Sequence, residues 1–128
     1  MNKRLSGTYY ENLVCDYLEE NGAKIIERNF RCRSGEIDII LNDDKYLVFA
    51  EVKFRSGDRY GTAEEAVDIK KQKTISRVSD YYRIKYKISE YSPQRFDVVA
   101  VCIDDEGYVN IRWHKNAFSY VQGKRSFG

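Results

Sequence analysis

A single histidine, His114, and a single proline, Pro93, stand in 128 residues. One imidazole cannot build a His-rich metal site and argues against chemistry that runs on a histidine base or nucleophile. Three cysteines, Cys15, Cys32 and Cys102, are odd in number, far apart and free of any Cys-x-x-Cys. They exclude a disulfide framework and a zinc ribbon, and point to reduced thiols. No apolar run approaches the 18 or so residues of a membrane span, and Met1 to Ser6 lack the apolar stretch of a signal peptide. A cytoplasmic protein without membrane contact is expected. Charge of one sign is also scarce, since the net charge is only +2. Affinity for a polyanion would therefore need a local basic patch.

What is present is ordinary for a folded domain: 42% hydrophobic and 33% charged residues, with no low-complexity tract. A chain of this length buries roughly two thirds of its unfolded surface. One domain over residues 1–128 is expected, with a core over about 7–120 and a frayed tail from 121 to 128.

The most informative stretch runs from Gly35-Glu36-Ile37-Asp38-Ile39-Ile40 through an acidic turn to Val48-Phe49-Ala50-Glu51-Val52-Lys53. Apolar and aromatic residues from 37 to 41 and from 46 to 54, with Asn42-Asp43-Asp44-Lys45 between them, read as a β-hairpin. A two-residue loop at Asp43-Asp44 would set Glu36 opposite Glu51. A four-residue loop from Asp43 to Tyr46 would set Asp38 opposite Glu51 and Glu36 opposite Lys53. In either register Glu36, Asp38, Glu51 and Lys53 share one face. Opposed Cβ atoms lie roughly 5 Å apart and diagonal ones about 7 Å, so two carboxylates could share one cation. A solvent-facing charged hairpin would have the same spacing, but Leu47 and Phe49 against Val48, Ala50 and Val52 suggest a strand covered on both sides.

Carboxylates on such a strand need compensation. A hard divalent ion, Mg2+ or Mn2+, suits oxygen donors and commonly carries substrate phosphate. Asp38 and Glu51 are the expected ligands, the Val52 carbonyl a further one, and Lys53 the group that orients water or stabilises phosphoryl charge.

Upstream, Tyr10, Leu13, Val14, Tyr17 and Leu18 recur at helical spacing, with Asn21-Gly22 as a stop and Glu11 at the border of the stripe. Residues 23–30 read as a strand, leading into a basic loop from Arg31 to Gly35 whose Arg31 and Arg33 could meet a phosphate backbone. After Lys53, a polar loop over 56–61 could form a substrate lip. A second helix starts at Thr62 or Asp68. From Ile69 to Lys87 seven basic residues face one acid, Asp80. Lys70, Lys73 and Arg77 are expected to track phosphates, while Lys71 falls in line with the buried stripe of Ile75, Val78 and Tyr82. Residues 95–103 read as an inner strand and 108–113 as its hairpin partner, followed by a short helix or turn through Phe118 and Tyr120.

Taken together, Glu11, Gly35-Glu36-Ile37-Asp38, Phe49 to Arg55 with Glu51-Val52-Lys53, Lys71-Gln72, and Arg95-Phe96-Asp97-Val98-Val99 resemble the bacterial UPF0102 (YraN-like) family over about residues 7–103. Tyr10, where a glycine is usual, and Cys15, where alanine is common, depart from its pattern. The family looks like a branch of the PD-(D/E)xK nuclease superfamily, with distant similarity to archaeal Holliday-junction resolvases. The resemblance implies a restriction-endonuclease-like α/β fold: a central mixed sheet flanked by helices, in the order α-β-β-β-α-β-β. It also implies a metal-dependent endonuclease in which Asp38 and Glu51 are metal ligands, Lys53 is the catalytic lysine and Glu11 a helix-borne acid. Arg55, Lys71 and Gln72 are carried over as nucleic-acid contacts. DNA is the expected substrate, with branched or single-stranded forms as candidates, and a homodimer stays open. The rival expectation is a nucleic-acid-binding module of the same fold that does not cleave.

Overall fold

The computed structural model describes residues 3–56 and 67–123. Its elements are α1 (Lys3–Glu20), β1 (Lys24–Cys32), β2 (Gly35–Asp43), β3 (Tyr46–Ser56), α2 (Ile69–Lys85), β4 (Gln94–Ile103) and β5 (Val109–Phe118). The five strands form one mixed sheet in sequential order, antiparallel except for the parallel pair β3–β4. Parallel neighbours require a long crossover, and α2 lies in it. The α-β-β-β-α-β-β order and two-sided cover agree with a restriction-endonuclease-like architecture.

Each helix covers one face. Val14, Cys15 and Leu18 of α1 pack on Ile39, Leu41, Val48, Ala50, Val99 and Val101. Ile75, Val78 and Tyr82 of α2 pack on Ile37, Ile40, Leu47, Phe49, Phe96 and Val98. Full burial of each large side chain contributes roughly 1.5–3 kcal/mol, so the alternation along β3 and β4 specifies both faces at once. Helix α1 stops where expected: Gly22 adopts φ 98, and the N–H of Ala23 donates to the Leu18 carbonyl at 2.9 Å. Asp68 caps α2 by accepting from the Lys71 N–H at 2.8 Å. The alternative start at Thr62, the lip over 56–61 beyond Ser56 and the tail from Lys124 lie outside the described residues. Among the described residues, no helix is long and apolar enough to cross a membrane.

Two boundaries differ from the expectation. Strand β1 extends to Cys32, so Arg31 is a strand residue and the basic loop shrinks to a turn at Arg33-Ser34. Strand β5 continues to Phe118 in place of a short helix or turn. The cause is Asp97, a fully buried carboxylate on β4. It accepts from Arg95 Nε (2.9 Å) and Nη2 (2.8 Å), Trp113 Nε1 (2.7 Å) and the Asn116 N–H (2.9 Å). Holding Asn116 at φ 55 creates a bulge, beyond which Phe118 pairs with Phe96.

Candidate functional site

The hairpin turn is Asp44-Lys45, and the register pairs Asn42 with Leu47 and Ile39 with Ala50. This is the parity that brings Asp38 towards Glu51. The paired ladder ends at Ile39–Ala50, and the next inward N–H, that of Val52, donates to Asp38 Oδ2 at 2.8 Å. The N–H and C=O of one strand residue point to the same side, so the Val52 carbonyl also faces β2.

A distortion shared by β1 and β2 sets this geometry. Asn29 lies at φ 55, between the pairs Arg28–Ile39 and Phe30–Ile37, and so faces Asp38 across the ladder. Residues two apart in a regular strand share a face, but here they do not. Arg28 turns to α1, donating to Asn12 Oδ1 at 2.9 Å and to Glu11 Oε1 at 3.3 Å. Phe30 is buried against Tyr82 of α2. Likewise Ile39 packs under α1 and Ile37 under α2. Asparagine tolerates the left-handed region better than most residues, and its side chain is fixed by a 2.5 Å hydrogen bond from Nδ2 to Glu11 Oε1. Gly35 completes the approach to α2: it has φ 149, and a Cβ there would sit 2.7 Å from Thr74 Cγ2.

The same rotation corrects one expectation. Glu36 does not share a face with Glu51 and Lys53; it turns away from α2 and pairs with Arg31 at 3.1 Å. Three of the four charges converge without it. Glu51 is largely buried, and its Oε2 lies 3.8 Å from Lys71 Nζ. Burial and the adjacent Asp38 charge, with a hydrogen bond to that carboxylate, push Glu51 up to about 8, and Lys71 and Lys53 only partly oppose this. The pair thus holds a proton at neutral pH because burial and the neighbouring carboxylate disfavour a second negative charge more than the two lysines favour it.

Glu51 separates two clefts. On the α1 side is a cavity of about 330 Å3 lined by Gly7, Glu11, Asn29, Asp38, Ile39, Glu51, Val52 and Phe54. On the α2 side is one of about 390 Å3 lined by Glu51, Lys53, Asp68, Lys70, Lys71 and Thr74. Glu11 therefore borders the site from α1 but is held by Arg28 and Asn29. Among the described residues no three His, Cys, Asp or Glu side chains cluster as a ready metal cage.

The residues expected to meet nucleic acid divide by position. Lys70 and Lys71 border the basic cleft, and Lys73 and Arg77 are exposed further along α2. Gln72 is engaged locally, donating from Nε2 to the Val67 carbonyl at 3.0 Å. Arg55 is half-buried, with Nε and Nη2 lacking a partner among the described residues. Arg33 is exposed at its turn, whereas Arg31 is tied to Glu36. Sequence reasoning missed Asn29 and Arg28, whose only local signal is an asparagine inside a strand-like run.

Fold and site define an α/β domain with a partly buried carboxylate pair at the point where two central strands part. The profile described as Uncharacterised protein family UPF0102 matches residues 10–101. The chain is 43% identical over 118 residues to a UPF0102 protein of Lachnoclostridium phytofermentans, covering 92% of this chain and 96% of the relative. It is 40% identical over 113 residues to UPF0102 protein lpg2994 of Legionella pneumophila subsp. pneumophila, covering 88% and 92%. A UPF0102 protein of Caldicellulosiruptor bescii is 44% identical over 120 residues, covering 92% and 100%. The protein belongs to the UPF0102 family.

Proposed function

We propose that this protein is a divalent-metal-dependent endonuclease acting on DNA. The observation that carries the reading is the Asp38–Glu51 pair, two adjacent carboxylates of which Glu51 is pushed up to about 8 by burial and by the Asp38 charge beside it. An all-oxygen donor set of this kind fits Mg2+ or Mn2+. Asp38, Glu51 and the Val52 carbonyl would hold the ion, which when bound polarises the scissile phosphate and lowers the pKa of water. Lys53, on the Glu51 face of β3, supplies a positive charge to the phosphoryl oxygens. Lys71 keeps Glu51 oriented through their ion pair, and Glu11 holds Asn29 and hence the strand distortion beside Asp38. Lys70, Lys73 and Arg77 align the backbone along α2, with Arg33 at the β1–β2 turn and Arg55 on β3 as further contacts.

The test is incubation with labelled linear, single-stranded, flapped and four-way-junction DNA, with Mg2+, Mn2+ or chelator. Cleavage should require metal and vanish in Glu51→Gln. In Lys53→Ala it should fall on the order of a hundredfold while DNA affinity stays close to wild type. If the wild type binds DNA but cleaves none of these forms with either metal, the endonuclease reading is wrong and the protein is a binding module.

A further inference from the structure

The two clefts beside Glu51 differ in chemistry, and the difference bears on the form of the substrate. The α2-side cleft carries Lys53, Lys70 and Lys71. Among the described residues, the α1-side cavity is lined by no cation and instead has an aromatic wall. Phe54, on β3 two residues beyond Val52, is 50% exposed and lines it. The Tyr10 ring stands edge-on to Phe54 at 6.0 Å between centroids, and Tyr9, 59% exposed, stands edge-on to Tyr10 at 5.3 Å. Large aromatic faces left in water beside a polar pocket are unfavourable unless a ligand covers them.

We infer that the α1-side cavity receives one unpaired nucleobase, stacked on Phe54 and braced by Tyr10, while the neighbouring phosphates follow the basic cleft along α2. This rests on the reading of the Asp38–Glu51 pair as the point where a nucleic-acid strand crosses the protein. About 330 Å3 lies at the small end of ligand pockets, roughly 300–1,000 Å3, and suits a single nucleotide. Two residues along a strand span roughly 7 Å, so Phe54 stands about one base away from the Val52–Asp38 contact. Without a metal on Asp38 and Glu51, no described side chain lining this cavity offers a phosphate a positive partner, whereas a neutral base is tolerated. A base inside a duplex has both faces covered by its neighbours, so aromatic stacking selects unpaired strands. The site is thus adapted to single-stranded segments or to nucleotides splayed at a branch.

The test measures binding, not cleavage. Fluorescence anisotropy in chelator compares a labelled single-stranded oligonucleotide with its own duplex, for wild type, Phe54→Ala, Phe54→Trp and Lys70→Ala/Lys73→Ala. Phe54→Ala should weaken single-strand binding by roughly tenfold or more and leave duplex binding unchanged. Phe54→Trp should restore the preference, and the lysine double variant should weaken both forms alike. Equal effects of Phe54→Ala on the two forms, or none, would overturn the inference and leave the endonuclease reading untouched. A protein that cleaves nothing but keeps a Phe54-dependent single-strand preference would sustain it while removing catalysis.

Discussion

Val52 donates its backbone N–H to Asp38 Oδ2 at 2.8 Å at the point where the β2–β3 ladder stops. The bond replaces a missing rung: the strands part by one pair, and a carboxylate enters the gap. Asp38 is thereby fixed by backbone, and Glu51, one residue before Val52, is brought against it.

Asp38→Asn retains an oxygen that can accept the Val52 N–H but loses the charge. The variant should fold like wild type and bind Mg2+ or Mn2+ far more weakly in calorimetric titration. Equal binding by both proteins would remove Asp38 from the proposed metal site.

The raised Glu51 has a stability signature in metal-free buffer. Its folded-state value, about 8, exceeds the ordinary 4.5, so the native state holds the proton more tightly than the unfolded chain. The stability this confers is complete below about pH 4.5 and is lost as pH rises through about 8, with a limiting slope of about 1.4 kcal/mol per pH unit. Glu51→Gln should flatten the dependence between pH 5 and 8, read from urea midpoints in chelator. Parallel curves for the two proteins would show that Glu51 ionises normally.

Exposed lysines and arginine on α2 should act as phosphate contacts of additive kind. Replacing Lys70, Lys73 and Arg77 together with alanine should reduce the slope of log affinity against log salt by about two units, at roughly 0.7–0.9 per contact. An unchanged slope would place the nucleic-acid path elsewhere on the surface.

Asp97 concerns the scaffold. Its carboxylate takes hydrogen bonds from Arg95, Trp113 and Asn116, and Arg95 also bonds Asp43 Oδ2 at 2.8 Å. The Asp97 hydrogen bonds raise the Arg95 guanidinium further above its already high value. Burial tends to raise Asp43, but the hydrogen bonds from Arg95 and Lys115 outweigh it and hold this carboxyl below its usual range. Asp97→Ala strands a largely buried guanidinium and should cost about 3–5 kcal/mol in urea unfolding. A loss under 1 kcal/mol would show that Asp43 alone satisfies Arg95.

Much of the architecture was legible along the chain because its causes are local or periodic. Alternating apolar residues at Leu47–Ala50 marked a strand covered on both faces, the stripe at Val14 and Leu18 marked α1, and the turn residues before Tyr46 marked the hairpin. Parity alone was enough to bring Asp38 and Glu51 within reach of each other. The end of β5 was not legible: Trp113 and Asn116 are bound to Asp97, and a contact across 16–19 residues leaves no period in the sequence.

The fate of the charges was decided in three dimensions. Regular pleating placed Glu36 with Asp38, but the left-handed turn of Asn29 rotated that part of the hairpin and sent Glu36 to Arg31. Such a rotation depends on Asn29 finding Glu11 on α1, 18 residues earlier in the chain. Lys71 reaches Glu51 only because α2 packs on the β2 side of the sheet with its first turn beside β3, and the basic and aromatic clefts exist only because α1 and α2 cover opposite faces of one sheet. The residue types and their spacing were properties of the sequence by itself. Which of them meet, and on which side of the Asp38–Glu51 pair, followed from packing two helices on a sheet whose strands part at that point.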